Sequence, residues 1–327
     1  MNPFVSLFVV AALQTSPRLL DGNLVEHGES RDIAADVLAL EDGVWAGYAV
    51  PMISGRHSFC GNGVVTLDAH GWSGRQTSSP GTDLFVLYRV EAGAVARIRT
   101  LDSECRIDAS GETIHWWRSV SPRSSLEFLE TLAREGDTDR SEDAVTAMAF
   151  HQEPLADARL SALAATAGSH DVKEKALFWL GAARGEGGLR QLAERLETET
   201  DRGLREKIVF ALHLSEADGA TEKLVQIAKN DSHAETREKA LFWLAQEAGK
   251  LAAETIASAV RNDPELEVKE KAVFALSQLP PDEGVPLLLE VAETHPHPEV
   301  RKKAFFWLGQ SGDPRALALF EKILLTR

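Results

Sequence analysis

A ten-residue phrase returns five times along this chain at a constant period of 32, with no insertion to break it. It reads VKEKALFWLG from Val172, LREKIVFALH from Leu204, TREKALFWLA from Thr236, VKEKAVFALS from Val268 and VRKKAFFWLG from Val300. A second apolar register follows it, with Leu192, Leu224, Ile256, Leu288 and Phe320 again 32 apart. Self-similarity at such a period marks stacked supersecondary units. Breakers separate the two patterns of a unit (Gly185, Gly187 and Gly188; Asp282 to Gly284; Gly312 to Pro314), and prolines stand between units at Pro264 and from His295 to Pro298. Each unit is therefore expected to be two helices joined by a turn. Such a pair cannot bury its apolar face alone, so the pairs must stack into an α-solenoid.

The array is expected to begin before Val172. Ser141 lies one full period before Lys173, and SEDAVTAMAF keeps Ala144 and Met148 in register, while Leu160 stands one period before Leu192. Lys and Phe are missing there, as suits an atypical terminal repeat. SSLEFLETLAR, from Ser124 to Arg134, reads as one more amphipathic helix. The expectation is a mostly α chain with about six helix pairs of period 32, preceded by a capping helix, over residues 121–327.

The run of a hydrophobic residue, Arg or Lys, two variable residues, Ala and a later Leu-Gly resembles the HEAT-repeat family, including the HEAT-like repeats of phycobilin lyases. The resemblance covers roughly Asp139 to Arg327. The layout of the whole chain resembles exported bacterial HEAT-repeat domain proteins. In that family the basic residue matching Lys173, Arg205, Arg237, Lys269 and Arg301 often ties neighbouring repeats together through an acidic or backbone acceptor, a structural role. The family includes scaffolds, adaptors, lyases and DNA-repair enzymes, so the resemblance speaks for fold more than activity.

At 100° per residue, Ala176, Trp179, Leu180 and Ala183 fall near one direction and are expected to form the core face. Lys175 lies about 80° from that direction and Phe178 about 140°. Two columns therefore leave the core face: Lys175, Lys207, Lys239, Lys271 and Lys303, and Phe178, Phe210, Phe242, Phe274 and Phe306. Either the Phe column is buried between repeats, or it forms an aromatic recognition strip edged by Lys. The three places after the opening residue hold eleven basic and four acidic side chains over the five repeats. That is a local excess of positive charge, or else a solvated lattice of Lys–Glu pairs. Trp179, Trp243 and Trp307 alternate with Ala211 and Ala275, which suggests interdigitation between layers. The second helices are expected to present Arg190, Gln191, Glu194, Glu222, Lys223, Gln226 and Glu254 on a concave, mixed polar surface.

Before residue 121 the pattern changes. VWAGYAVPMI, LFVLYRV, AVARIRTL, CRIDA and IHWWRSV are short β-prone runs separated by Asp42-Gly43, Glu91-Ala92-Gly93 and Ser110-Gly111. LFVLYRVEAGAVARIRTLD reads as a hairpin with a short glycine-containing loop. Residues 19–120 are expected to form a small antiparallel β domain. Its loop from Arg56 to Thr82 carries His57, His70 and Trp72 in a Gly- and Ser-rich setting. Residues 1–18 read as an export signal, because Phe4 to Leu13 is an apolar run of signal-core length without a basic flank. A membrane-retained anchor or a buried helix are the other readings of that run. No other run reaches the ~18 apolar residues of a membrane span, so the mature chain is expected to have none.

Cys60 and Cys105 both precede the repeats. In an exported protein they are candidates for a disulfide, stabilising by roughly 4 kcal/mol in the chain-entropy model; otherwise they are two separate thiols. His57 and Cys60 would supply half a zinc site, but a second ligand pair is absent. The chain has a formal net charge of −15, which opposes nucleic-acid binding through phosphate neutralisation. It holds no Gly-rich phosphate loop and no Ser nucleophile in a strand–turn–helix setting. The sequence thus points to a non-catalytic scaffold or adaptor for a protein or peptide, exported to the periplasm or cell envelope, with no catalytic residue, metal or cofactor. The alternative is a HEAT-like lyase or other enzyme acting on a bound chromophore or nucleic acid.

Overall fold

The computed structural model describes residues 16–54, 59–60, 63–68, 81–135, 138–247 and 249–325. Residues 1–15 of the expected export signal and the His57, His70 and Trp72 positions lie outside them, and the last residue assigned to that signal, Arg18, opens the first strand. Strands dominate the first third of the chain: β1 (Arg18–Ser30), a short α1 (Ile33–Leu38), β2 (Val44–Pro51), β3 (Val64–Thr66), β4 (Asp83–Glu91), β5 (Ala94–Asp102) and β6 (Arg106–Val120). A single helix follows, α2 (Pro122–Glu135). Six consecutive pairs come next: α3 (Thr138–Phe150) with α4 (Leu155–Thr166), α5 (His170–Ala183) with α6 (Gly185–Thr198), and α7 (Arg202–His213) with α8 (Ala220–Asn230). The last three are α9 (Ala234–Glu247) with α10 (Lys250–Asn262), α11 (Leu266–Gln278) with α12 (Pro281–Thr294), and α13 (Pro298–Ser311) with α14 (Pro314–Leu325). Among the described residues no helix is long and apolar enough to cross a membrane. The chain divides into two compact units, Met1–Lys175 and Ala176–Arg327, so the division falls inside α5 and not where strands give way to helices.

In the first unit the strand order is β1-β6-β2-β4-β5, with β3 also beside β6. The expected all-antiparallel domain is corrected here. β2, β4 and β5 do run antiparallel, but β6 runs parallel to β1, β2 and β3. Alternating hydrophobicity fixes which side chains share a face, but it carries no information on strand direction. The expected β4–β5 hairpin is present, closed by Ala92 and Gly93, both at positive φ (50° and 69°) as a two-residue hairpin turn requires. Ser110-Gly111, expected to separate strands, instead sits within β6 as a local distortion, with Asp108 Oδ1 accepting from the Ser110 amide at 2.9 Å.

Trp45, Tyr48, Phe85, Tyr88 and Trp116 fill the core of this unit and have no solvent exposure. Gly47 makes room for it, since a Cβ there would press on the Trp116 ring at 3.0 Å. A buried chain of hydroxyls joins sheet to helices. Tyr48 Oη lies 2.6 Å from Tyr88 Oη and 2.7 Å from Ser125 Oγ, which lies 2.8 Å from His151 Nε2. Burial pushes the acidity of both phenols down, so they stay protonated and able to donate. The Ile53 amide donates to the Phe150 carbonyl and the Gln152 amide to the Pro51 carbonyl, fastening the end of α3 to the end of β2. α3 itself packs against α2 and β5.

In the second unit the period becomes a rule of packing. From α7 onward each first helix lies on the next first helix, and from α8 onward each second helix on the next second helix. The buried face of the first helices is Ala176, Leu177 and Leu180 and their counterparts, such as Ala240, Leu241 and Leu244. Within a pair the helices approach so closely at Gly188 and Gly284 that a Cβ would collide with the Leu180 and Leu276 carbonyl oxygens. Ala220, Ala252 and Ala316 hold the same place in the other pairs and are buried.

Two arginines of the second-place column act as ties between layers. Arg205 donates to both Asp231 oxygens (2.8 and 2.7 Å), to the carbonyls of Leu196 and Glu199 (2.8 Å each) and to Thr236 Oγ1 (2.9 Å). Arg237 makes a bidentate pair with Asp263 (2.8 and 2.9 Å) and reaches the Asp231 carbonyl at 2.9 Å. Glu199, Asp231, Asp263 and His295 are the residues that end successive second helices. Lys269 and Arg301 use backbone carbonyls there, of Arg261 (3.2 Å) and of His295 (2.7 Å) and Pro296 (3.0 Å). Arg237→Ala leaves Asp263 buried and without its guanidinium. Urea denaturation is expected to show a loss of about 3 kcal/mol, against less than about 1 kcal/mol for Lys239→Ala on the exposed side of the same helix.

Candidate functional site

The two expected columns lie on the outer side of α5, α7, α9, α11 and α13. Phe178, Phe210, Phe242 and Phe274 are half-buried and Phe306 is 54% exposed. The tryptophans depart from expectation: Trp179, Trp243 and Trp307 are half-exposed and stand outside the core. Leu177, Val209, Leu241 and Val273 take the buried place instead, which turns the core face away from the Trp column. The rings interlock with the Phe column. Phe210 lies against Trp243 (centroids 4.9 Å), Trp243 against Phe242 (4.9 Å), Phe242 on Phe274 (6.3 Å, 11° between planes), Phe274 against Trp307 (5.0 Å) and Trp307 against Phe306 (4.9 Å). One unbroken row of aromatic contacts thus runs across four layers. Phe178 and Trp179 repeat the same edge-to-face contact at 4.9 Å.

Trp243 and Trp307 lean back over the layer before them, where the matching residues are Ala211 and Ala275, both fully buried. His213 adds its ring to the row, stacked 4.7 Å from Trp243, and its Nδ1 stands 2.8 Å from Glu247 Oε1. Nothing in the periodic phrase marked His213, because the other repeats carry different residues at its place.

The lysines form a lattice with the glutamates of the preceding layer. Lys175 pairs with Glu142 at 3.1 Å, Lys239 with Glu206 at 3.1 Å and Lys303 with Glu270 at 3.5 Å. Burial raises the acid range of Glu238, and the exposed Lys271 acts against that rise. Lys207 is exposed on α7. Three of the five lysines are thereby paired, and what edges the aromatic row is a hydrated rim that carries both charges.

On the second helices, Arg190, Glu194, Glu222, Gln226 and Glu254 are exposed, and Gln191 and Lys223 half-buried. Between α6 and α8, Arg190, Glu222, Lys223 and Gln226 border a shallow cavity of about 490 Å³, and Lys223 and Gln226 also border a second of about 330 Å³. This is a polar groove with room for a side chain or two. Cys60 and Cys105 are joined as a disulfide, their Cα atoms 5.5 Å apart. Asp102 lies beside them and accepts from the Phe59 amide at 3.1 Å. These three side chains are the one metal-like grouping among the described residues, and the disulfide removes two of its three ligands.

Residues 253–327 match the family model of HEAT repeats. That stretch holds most of α10 and all of α11 to α14, and its ten-residue phrase recurs at the same step upstream to Val172. No curated protein matches the chain. Two solved structures are similar. One is human deoxyhypusine hydroxylase in complex with glycerol, at 16% identity and a TM-score of 0.28, over 62% of this chain and 90% of that one. The other is YibA of Escherichia coli, at 13% identity and a TM-score of 0.35, over 62% of this chain and 76% of that one.

In the first unit Lys175 and Arg99 face Asp143 on α3, whose acid range is nevertheless pushed up to about 6 by burial; Asp139 and Glu142 add to the rise. A folded-state value above the unfolded one means this carboxyl favours folding only while protonated. Its contribution is complete below about pH 4 and is lost as pH rises through about 6. The ¹³C signal of the Asp143 carboxyl is expected to titrate near pH 6. Asp143→Asn is expected to stabilise the protein by about 1 kcal/mol at pH 7 after allowance for solvent screening, with the gain gone by pH 4.

Proposed function

We propose that this chain is a non-catalytic scaffold or adaptor, an α-solenoid of HEAT-type repeats that binds a protein or peptide outside the cytoplasm. The observation that carries the reading is the row from Phe210 to Phe306. Half-exposed aromatic rings fixed by mutual stacking give a partner broad apolar contact while losing little side-chain freedom on binding. The Lys–Glu rim keeps such a row soluble and offers both charges to polar groups at the edge of a bound segment. A protein partner fits this mixture better than nucleic acid does, because lysines of the rim are already paired and the chain is acidic overall.

The disulfide between Cys60 and Cys105 supports an oxidising compartment, since such bonds are rare in the reducing cytosol. Together with the apolar run from Phe4 to Leu13, it favours export to the periplasm or cell envelope. The cavities between α6 and α8 are open and lined by mixed polar side chains, which suits a bound side chain better than an enclosed reaction.

Charge reversal of the lysines would also dismantle the lattice between layers, so the aromatic row is the cleaner target. Cross-linked affinity capture from envelope and soluble fractions should compare the wild type with a Phe242→Ala, Phe274→Ala and Phe306→Ala variant of unchanged circular dichroism. A partner's yield is expected to fall at least about tenfold, corresponding to a lost hot spot. Unchanged capture would move the binding site to the groove between α6 and α8.

A further inference from the structure

Trp243 and Trp307 hold the same place two layers apart, and two of their ring contacts coincide. Phe210 and Phe242 meet Trp243 at 40° and 75° between planes, and Phe274 and Phe306 meet Trp307 at 45° and 80°. Trp243 has a third ring neighbour, His213, stacked on it at 4.7 Å and 20°. Among the described residues no ring stands so on Trp307. Ser277 lies two periods after His213, and beside it α11, α12 and α13 border a cavity of about 270 Å³. Its lining follows the earlier layers position for position. Ser277, Val285 and Ser311 replace His213, Thr221 and Glu247, while Leu276, Leu288 and Gln310 repeat Leu212, Leu224 and Gln246. With an imidazole and its carboxylate partner both reduced to serine, room is left beside the indole for one ring.

We propose that this cavity is a binding site for a neutral, imidazole-type ring, planar and bearing an N–H. His213 shows the pose, flat on the indole with one nitrogen turned to the residue at position 247. Its Nδ1 lies 2.8 Å from Glu247 Oε1, and an ionised carboxylate only accepts, so the ring donates. The cavity makes the same demand. Ser277 Oγ gives its proton to the Phe274 carbonyl at 2.6 Å and Ser311 Oγ to the Leu308 carbonyl at 2.7 Å, which leaves both oxygens to a ligand as acceptors. Each already accepts one hydrogen bond, from Gln278 and from the Asp313 amide, and keeps a second lone pair. Every residue that lines the cavity is uncharged, so a protonated ring would lack the carboxylate that faces His213. A charge taken from water without a partner is costly, which selects the neutral form. The size agrees. A cavity of about 150 Å³ holds benzene, and about 270 Å³ takes a smaller ring together with the atoms that carry it. A free heterocycle and the side chain of a partner's histidine share this chemistry.

Imidazole itself is the probe, titrated to about 50 mM into the full chain labelled with ¹⁵N-tryptophan, a range that covers the weak affinity open to so small a ligand. The indole N–H signal of Trp307, assigned by its loss in Trp307→Phe, is expected to shift and saturate at about pH 8.5, where the ring is neutral. Half-saturation should need about tenfold more imidazole at about pH 5.5, where roughly a tenth of it is neutral. A Ser277→His, Ser311→Glu variant rebuilds the arrangement of the earlier layers. It should lose the response while melting no lower than the wild type. His213→Ala should open the equivalent space and make the Trp243 signal respond in its turn. A capped histidine that binds as well as imidazole assigns the site to a polypeptide side chain, and one that fails to bind assigns it to a free heterocycle. An unmoved Trp307 signal overturns the proposal, as does a response that survives filling of the cavity or strengthens at the lower pH.

Discussion

Burial of one helix pair's apolar face against the next is the interaction on which the helical region depends. A pair of helices of this length leaves Leu180, Leu192 and their counterparts in water unless a neighbour covers them, and each such side chain is worth about 1.5–3 kcal/mol when fully buried. The constancy of the step follows from that need. An extra residue in either helix would turn every later apolar side chain off the shared face. It also accounts for the small residues at Gly188, Ala220, Ala252, Gly284 and Ala316, which let two helices approach closely enough for the large side chains beside them to meet.

The same phrase carries two cations with different fates. The second-place residue is drawn to the acidic or carbonyl end of a second helix, where Arg205 and Arg237 pair with Asp231 and Asp263 out of water. The fourth-place Lys, two residues on, points where solvent screens it and reaches only across the surface to a glutamate. Buried guanidinium ties resist loss of either partner; exposed ammonium pairs are replaceable. The layers are locked from one side and left adaptable on the other, which is where the aromatic row lies.

Helix pairs were legible in the sequence because an unbroken period with two apolar registers admits few other readings. The arginine ties were partly legible, since Glu199, Asp231 and Asp263 recur at the same step as the basic column. The sheet was less so. β1, RLLDGNLVEHGES, is largely exposed and lacks clean alternation, so it carried no strand signal, and its parallel pairing with β6 depends on residues far apart in the chain. The Lys and Phe columns were legible as leaving the core face, with burial of the Phe column between repeats left open, while the Trp column was placed in the core. A helical wheel locates a side chain around one axis. It cannot say that a Leu or Val on the same helix has taken the buried space and sent the indole outward.

The alternation of Trp with Ala has a consequence for how such an array grows. Trp243 and Trp307 stand at every other layer against rings of the layer before them, and Ala211 and Ala275 hold the same place in the layers between. Counted by backbone, one helix pair is the unit; counted by side chains that interlock, the unit is two. Removing one helix pair from the middle would set two indoles, or two alanines, in successive layers. Removing two adjacent pairs would restore the fit.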